Sequence, residues 1–408
     1  MNLERAKIVN ILDKIILFSL YAFAYFFPIS KAIIGIASYL AIGCFILKKI
    51  IQYEESPKTY LNLAIFIYLV VCFISIFLSS NFQISSRAFL SKVLQRVALF
   101  VVIADTLNTE RRIRNFIYIF FISSLLLGID GIYQHFTHKD FIRNRPDYGL
   151  PRIHATFPTP NDFGCYLVTA MTFTLTCFFV KSNSRMLRLV FSGLFMLLFV
   201  CLVLTVSRGA WFAFISVVLF MSFWIRPLGI SFLILAISVM LAQQFYNPLI
   251  KERLTNFFIF QDNSSLDRIK IWEAGWKMLM SRPWAGVGLG TFMFNFSSFA
   301  KDYRYNIVPY AHNCYLQMSA EIGIIGLVSF LAILILFFYQ GIKLIRRMER
   351  TFSWYMLLGS LAALLGYCVV MAVDTNFYAL DLGMLFWMLL GIGVASMNNL
   401  KLQTAVSK

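Results

Sequence analysis

Three side chains have the types and positions to do chemistry: Arg208, Arg268 and His312. A histidine is the natural general base near neutral pH, and the chain contains only four. A guanidinium offers a planar fork of donors that matches the oxygens of a phosphate group. The residue types therefore predict a base beside an anion site. The structural alternative for Arg208 is an interfacial anchor whose charge snorkels to water.

Arg268 lies on a predicted helix within the longest polar interval of the chain, residues 246–312. An S-x-x-D capping pattern at 264–267 predicts that this helix begins near Leu266 and ends before Pro283. Its charged residues form one stripe, whereas Arg268 shares the opposite, apolar face with Trp272. A permanently charged group there needs an anionic partner or a water-lined cavity. The alternatives are an internal ion pair and a snorkelling arginine.

His312 lies where the polar interval meets the next apolar run. Tyr310 and Asn313 stand on either side of it, and these two with Trp272 are candidate substrate contacts. The alternative is a structural histidine at the end of a membrane span.

Three further cations are candidate contacts for an anionic substrate. Lys92 and Arg96 are four residues apart, so they share one helix face inside an apolar run. They either line a diphosphate pocket or pair with Asp105 or another acid. Arg152 belongs to a proline-rich segment, 151–164, which otherwise predicts a rigid external turn.

The glycine-rich segment G-x-G-x-G at 286–290 follows no predicted strand, so it predicts a backbone turn rather than a dinucleotide site. No H-E-x-x-H motif, D-x-D motif or carboxylate pair has metal-ligand spacing. The seven cysteines lie in or at the edge of apolar runs, which argues against a disulfide framework or a cysteine metal site in the polar interval. We expect neither a cofactor nor a metal.

The composition indicates a membrane protein. Of 408 residues, 60% are hydrophobic and 13% are charged, against roughly 25% charged in soluble domains. The net charge of +17 suits anionic lipid headgroups or a phosphorylated substrate better than nucleic acid, because the basic residues are scattered between apolar runs. Twelve spans are predicted, at 15–29, 32–47, 61–79, 86–105, 115–136, 163–180, 189–206, 209–225, 228–245, 313–340, 354–373 and 383–398.

The lysines and arginines alternate along the chain in a way that predicts orientation. The richer connections, which include 48–58, 111–114 and 343–350, should be cytoplasmic. Both termini are then cytoplasmic, and 246–312 is an external loop with short amphipathic helices between the ninth and tenth spans. We expect one all-α polytopic domain over residues 1–408, because neither an internal repeat nor a linker divides the chain.

Five short motifs recur in an order that is similar to a known family. They are R-x-x-A-T-F-x-x-P-N from Arg152, S-R-G from Ser207, D-R-x-x-x-W from Asp267, G-x-G-x-G-T-F from Gly286 and A-H-N-x-Y-L from Ala311. His312 is also separated from Gly323 by ten residues. With these motifs and this number of spans, the chain resembles the O-antigen ligase and O-antigen polymerase superfamily of bacterial envelope proteins.

The resemblance implies a GT-C-type glycosyltransferase in the bacterial inner membrane, acting on its periplasmic face. Such a ligase moves a glycan from undecaprenyl diphosphate to a sugar of lipid A–core, surrounded by membrane lipids. By resemblance, His312 is the base for the acceptor hydroxyl, and Arg208 and Arg268 hold the diphosphate. The displacement would be direct and inverting, without ATP or metal.

Two other functions remain open. A polymerase of the same superfamily would extend the lipid-linked glycan, although polymerases often have a second large external loop and the other loop here, 138–162, is short. A transporter or flippase for an anionic lipid-linked substrate is the alternative from another class. Two features count against a transporter: the sequence has no internal repeat, and it has a predicted Trp-rich external helix. One departure from the family concerns Trp272, where some ligases have leucine.

Overall fold

The computed structural model describes residues 3–52, 59–146, 152–225, 263–300 and 310–406. Over these residues the regular structure is helical, apart from one isolated β-bridge between Lys139 and Pro146. The α-helices are α1 (Leu3–Phe26), α2 (Lys31–Gln52), α3 (Asn62–Phe77), α4 (Phe82–Ala88), α5 (Gln95–Thr106), α6 (Glu110–Thr137), α7 (Pro160–Phe179), α8 (Arg185–Thr205), α9 (Arg208–Ser222), α10 (Asn263–Ser281), α11 (Phe292–Phe299), α12 (Cys314–Arg347), α13 (Phe352–Met371) and α14 (Leu380–Val406). A π-helix, Phe89–Leu94, joins α4 to α5, and a 3-10 turn, Asn376–Tyr378, precedes α14.

Eight of the described helices are long and apolar enough to cross a membrane, which confirms an all-α polytopic membrane protein. They are α1, α2, α6, α7, α8, α12, α13 and α14, while α3 and α9 are shorter apolar helices. The predicted span at 86–105 is not one regular helix, because a π-helix interrupts it. The predicted span at 228–245 lies outside the described residues, as do 246–262 and 301–309 of the polar interval.

The helices differ in how much of their surface the rest of the protein covers. In the most apolar 18-residue stretch of α14, 94% of the residues are buried, and the same fraction is 83% for α7 and for α13. The corresponding value for α1 and α2 is only 33%. The helices α7, α13 and α14 therefore form the centre of the bundle, where polar side chains can be held away from lipid.

Charged contacts mark the two ends of the bundle. At one end Asp13 forms salt bridges with Lys48, at 2.7 Å, and with Arg112. At the other end Lys31, the first residue of α2, lies 3.1 Å from Asp381 at the start of α14. Lys48 and Arg112, which belong to connections predicted to be cytoplasmic, thus lie together at the first of these ends.

A break in α12 receives the glycine-rich segment 286–290. Gly323 interrupts this helix with φ 71° and ψ −179°. The amides of Val287 and Gly288 donate to the carbonyls of Ala320 and Glu321, both at 2.9 Å. The segment is a backbone turn, as the sequence predicts, and it packs against the opened helix.

We expect the Gly323→Ala substitution to destabilise the protein. An added Cβ would lie 2.1 Å from the carbonyl oxygen of Trp284, and the left-handed φ is itself unfavourable for alanine. The expected cost is about 2 kcal/mol or more, measured as a lower Tm in detergent. Gly43→Ala is the matched control, because nothing lies within 4 Å of its added Cβ. Equal Tm values for the two variants would contradict the tight packing at Gly323.

Candidate active site

His312 lies immediately before α12 and faces an aspartate. Asn313 caps this helix, because its Oδ1 accepts the amide proton of Leu316 at 3.0 Å. His312 itself has a left-handed backbone, with φ 48°, which points to a constrained position. Its Nδ1 lies 3.3 Å from Oδ1 of Asp374, and 38% of its side chain is exposed. The ring is therefore both oriented and accessible.

Asp374, which sequence reasoning missed, follows α13 and lies at the same end of the bundle. Oδ1 also accepts the amide proton of Thr375 at 2.8 Å. Burial alone would raise the pKa of this carboxyl, but the hydrogen bond and charge of His312, the Thr375 amide and the charge of Arg268 outweigh it. The pKa is consequently lower than usual, so the group is a carboxylate at neutral pH. The one sequence signal for it was an acid at the predicted external end of an apolar run.

Asn161 connects Asp374 to two other segments. It lies in the first turn of α7, and its Nδ2 donates to Oδ2 of Asp374 at 2.9 Å. Its Oδ1 accepts from Oγ of Ser207 at 3.0 Å and from Nη2 of Arg152 at 3.3 Å. Arg152 also donates through Nε to the carbonyl of Thr205, at 2.8 Å. The predicted turn at 151–164 thus contributes two residues to one polar network with Asp374.

Arg208 is adjacent to this network in the chain. Ser207 is the N-cap of α9, and its Oγ accepts the amide proton of Ala210. Arg208 is the first residue of the helix and is partly exposed. Helix capping therefore fixes the backbone from which this guanidinium extends.

Helix α10 brings Arg268 and Trp272 to the same place. The helix begins at Asn263, three residues before the predicted start, and ends at Ser281 as expected. The indole Nε1 of Trp272 donates to the carbonyl of Ala311 at 2.9 Å, which ties the helix to the residue before His312. Arg268 is half-buried, and its charge acts on Asp374. Helix α10 therefore lies against the segment that carries the histidine.

Three predicted contacts remain: Arg96, Lys92 and Tyr310. Arg96 donates to the carbonyls of Phe377, at 2.6 Å, and Ala379, at 2.8 Å. Asp105, one of its suggested acidic partners, forms a salt bridge with Lys49 instead. The structure does not place Lys92 against His312; it lines a separate cavity. Tyr310 is 39% exposed.

Part of the chain is similar to a known protein family. Residues 193–331 match a family model described as O-Antigen ligase. The matched range includes Arg208, Arg268, His312 and Gly323. No curated protein matches the chain. The protein thus contains, at residues 193–331, a domain of the O-antigen ligase superfamily.

Proposed function

We propose that this protein is an O-antigen ligase, which transfers a glycan from undecaprenyl diphosphate to a sugar hydroxyl of lipid A–core. The observation that carries the proposal is the contact between His312 and Asp374, next to the charge of Arg268. A histidine–carboxylate pair beside a cation provides a base and an anion site in one place.

His312 acts as the general base. Its Nδ1 faces Asp374, and its other nitrogen, Nε2, has no hydrogen bond to any residue that the structure describes. Nε2 accepts the proton of the acceptor hydroxyl as that oxygen attacks. The Asp374 carboxylate fixes the orientation of the ring and stabilises the imidazolium that forms.

Arg208 and Arg268 bind the diphosphate and stabilise the negative charge that develops on it. The acceptor oxygen forms a bond to the anomeric carbon as the bond from that carbon to the phosphate oxygen breaks. Undecaprenyl diphosphate leaves with the bonding electron pair, and the configuration inverts. Positioning and electrostatics carry out this step, with no ATP or metal ion in the proposed reaction.

The site is proposed to face the periplasm, with both termini in the cytoplasm. The support is the gathering of Lys48, Lys49 and Arg112 at the opposite end of the bundle. Basic residues near span ends favour the cytoplasmic side. Undecaprenyl-linked donor and lipid A–core acceptor would then both approach from the outer leaflet of the bacterial inner membrane.

The product distinguishes a ligase from its alternatives. Purified protein is mixed with undecaprenyl-diphosphate glycan and rough lipopolysaccharide, without ATP or divalent cations. A ligase produces a lipopolysaccharide ladder, whereas a polymerase lengthens the undecaprenyl-linked glycan. Unchanged donor and acceptor, together with movement of the donor across liposomes, would contradict both and indicate a transporter.

The Arg268→Lys variant should transfer glycan about 10- to 100-fold more slowly, because a point charge cannot replace the two-pronged contact of a guanidinium with phosphate oxygens. The initial rate of ligation measures this effect. Arg346→Lys is the matched control, since Arg346 is exposed near the end of α12 that is remote from His312. Full activity of Arg268→Lys would assign Arg268 a structural role.

A further inference from the structure

A small cavity, lined mostly by apolar side chains but with three charged ones, lies next to the turn that follows Asp374. Lys92, Arg96, Glu321 and Tyr378 are among the residues that line it. Tyr378 ends the 3-10 turn that begins two residues after Asp374. The cavity therefore shares a short segment of chain with the candidate active site, although His312 does not line it.

Two cations in this cavity have donors without a partner among the residues that the structure describes. Among the described residues, the Lys92 ammonium has no carboxylate within 4 Å and no hydrogen bond, and it lies 5.8 Å from the centroid of the Tyr378 ring. Arg96 is 1% exposed, and its Nε is buried without a hydrogen-bond partner, although both terminal nitrogens are bonded. Buried donors of this kind normally find a partner.

Glu321 does not satisfy these donors. Its carboxylate accepts hydrogen bonds from the Gly290 amide at 2.8 Å, from Nε2 of Gln317 at 3.0 Å and from the Phe292 amide at 3.4 Å. Its charge attracts Lys92, but two cations face one carboxylate. Asp381 also acts on Arg96, but it forms a salt bridge with Lys31 and does not line the cavity. The lining residues therefore keep a net positive charge, which attracts an anion within a membrane protein.

Local structure keeps this cavity open. Lys92 belongs to the π-helix at 89–94. Such helices are rare in proteins overall, and those that occur are often at functional sites. Gly383 makes room for Arg96, since an added Cβ there would lie 2.0 Å from its Nη1. The space for water-sized atoms is about 20 Å³, which admits one or two oxygen atoms of a phosphate group but not a sugar ring. Leu90 and Leu94 on the same segment are exposed, which turns it towards the lipid.

We propose that this cavity is a second anion site, which receives phosphate oxygens carried by a membrane lipid. Lys92 supplies the free ammonium donors, and Arg96 supplies Nε and positive charge. The site is separate from Arg208 and Arg268, and its existence does not depend on glycan transfer.

The test measures binding of three probes to purified protein in dodecyl maltoside, a detergent without phosphate. Native mass spectrometry gives the affinity for undecaprenyl phosphate, phosphatidylglycerol and inorganic pyrophosphate. All variants are made in an Arg268→Gln background, so that the other anion site is weakened. Lys92→Gln should reduce the affinity about tenfold or more, as expected for loss of a charge-assisted hydrogen bond.

Two variants serve as controls. Lys92→Arg keeps the charge and should retain binding, and Lys277→Gln removes an exposed lysine of α10 that pairs with Glu273. If Lys92→Gln weakens the binding of the two lipids but not that of pyrophosphate, the site needs a phosphate carried by a lipid. If Lys92→Gln also weakens the binding of pyrophosphate, the phosphate group is sufficient for binding. Unchanged affinity of Lys92→Gln for all three probes overturns the proposal, whatever the result of the ligation assay.

Discussion

The His312→Ala variant is expected to ligate glycan about 10²- to 10⁴-fold more slowly than the wild type, because this is the usual contribution of a positioned general base. Its affinity for undecaprenyl-diphosphate glycan should stay within a few fold, since Arg208 and Arg268 remain. Single-turnover ligation and donor binding, measured on one preparation, separate the two quantities.

His135→Ala is the matched control for this experiment. His135 is an exposed histidine in the last turn of α6 and lies outside the network around Asp374. It should ligate at the wild-type rate. Wild-type ligation by His312→Ala would refute the assignment of the base, and a parallel loss of donor binding would move His312 to the anion site.

The Asp374→Asn variant should lose about 10²- to 10⁴-fold in kcat, by analogy with the loss seen when an amide replaces the carboxylate that orients a catalytic histidine. The amide keeps the size of the side chain but removes the charge that stabilises the imidazolium. Its Tm should fall much less than its activity. Glu273→Gln, which removes an exposed carboxylate of α10, is the control.

The pH dependence tests the charged state of Asp374. The pKa of Asp374 is lower than usual, since the contact with His312 and the nearby charges outweigh the effect of burial. A lowered pKa means that the carboxylate is present at all pH values above it and is lost only as the pH falls through it. The defect of Asp374→Asn should therefore have the same size from about pH 6 to pH 9. A defect confined to alkaline pH would contradict the charged state assigned to Asp374.

The sequence was sufficient for the membrane class and for the helix that carries Arg268. Long apolar runs force helices in a bilayer, because only helices satisfy their own backbone there without a closed barrel. The capping pattern before Arg268 located α10 within three residues. The position of His312 at the start of a span was equally readable, since Asn313 is a typical N-cap.

The partners of these residues could not be read from the sequence. Asp374 meets His312 across 62 residues and Asn161 across 213, and no local pattern encodes contacts at such separations. Arg96 was expected to line a diphosphate pocket or to pair with an acid, and nothing in its sequence context indicated that its terminal nitrogens bond to backbone carbonyls of the turn at 377–379. Every residue type has such a carbonyl, so this arrangement leaves no trace in the sequence.

The structure gives a reason for the tryptophan at position 272, where some ligases of the family have leucine. Its indole donates to the carbonyl of Ala311, and a leucine at this position would lack that donor. The tryptophan thus links the helix that carries Arg268 to the backbone of the histidine.

The most direct test of the central claim is an experimental structure of the protein in a nanodisc with undecaprenyl diphosphate. The diphosphate should lie between Arg208 and Arg268. Nε2 of His312 should face the place that the anomeric carbon of the glycan occupies when it is still bonded to the diphosphate. A diphosphate bound at the opposite end of the bundle, near Asp13 and Lys48, or out of reach of both arginines, would contradict the account.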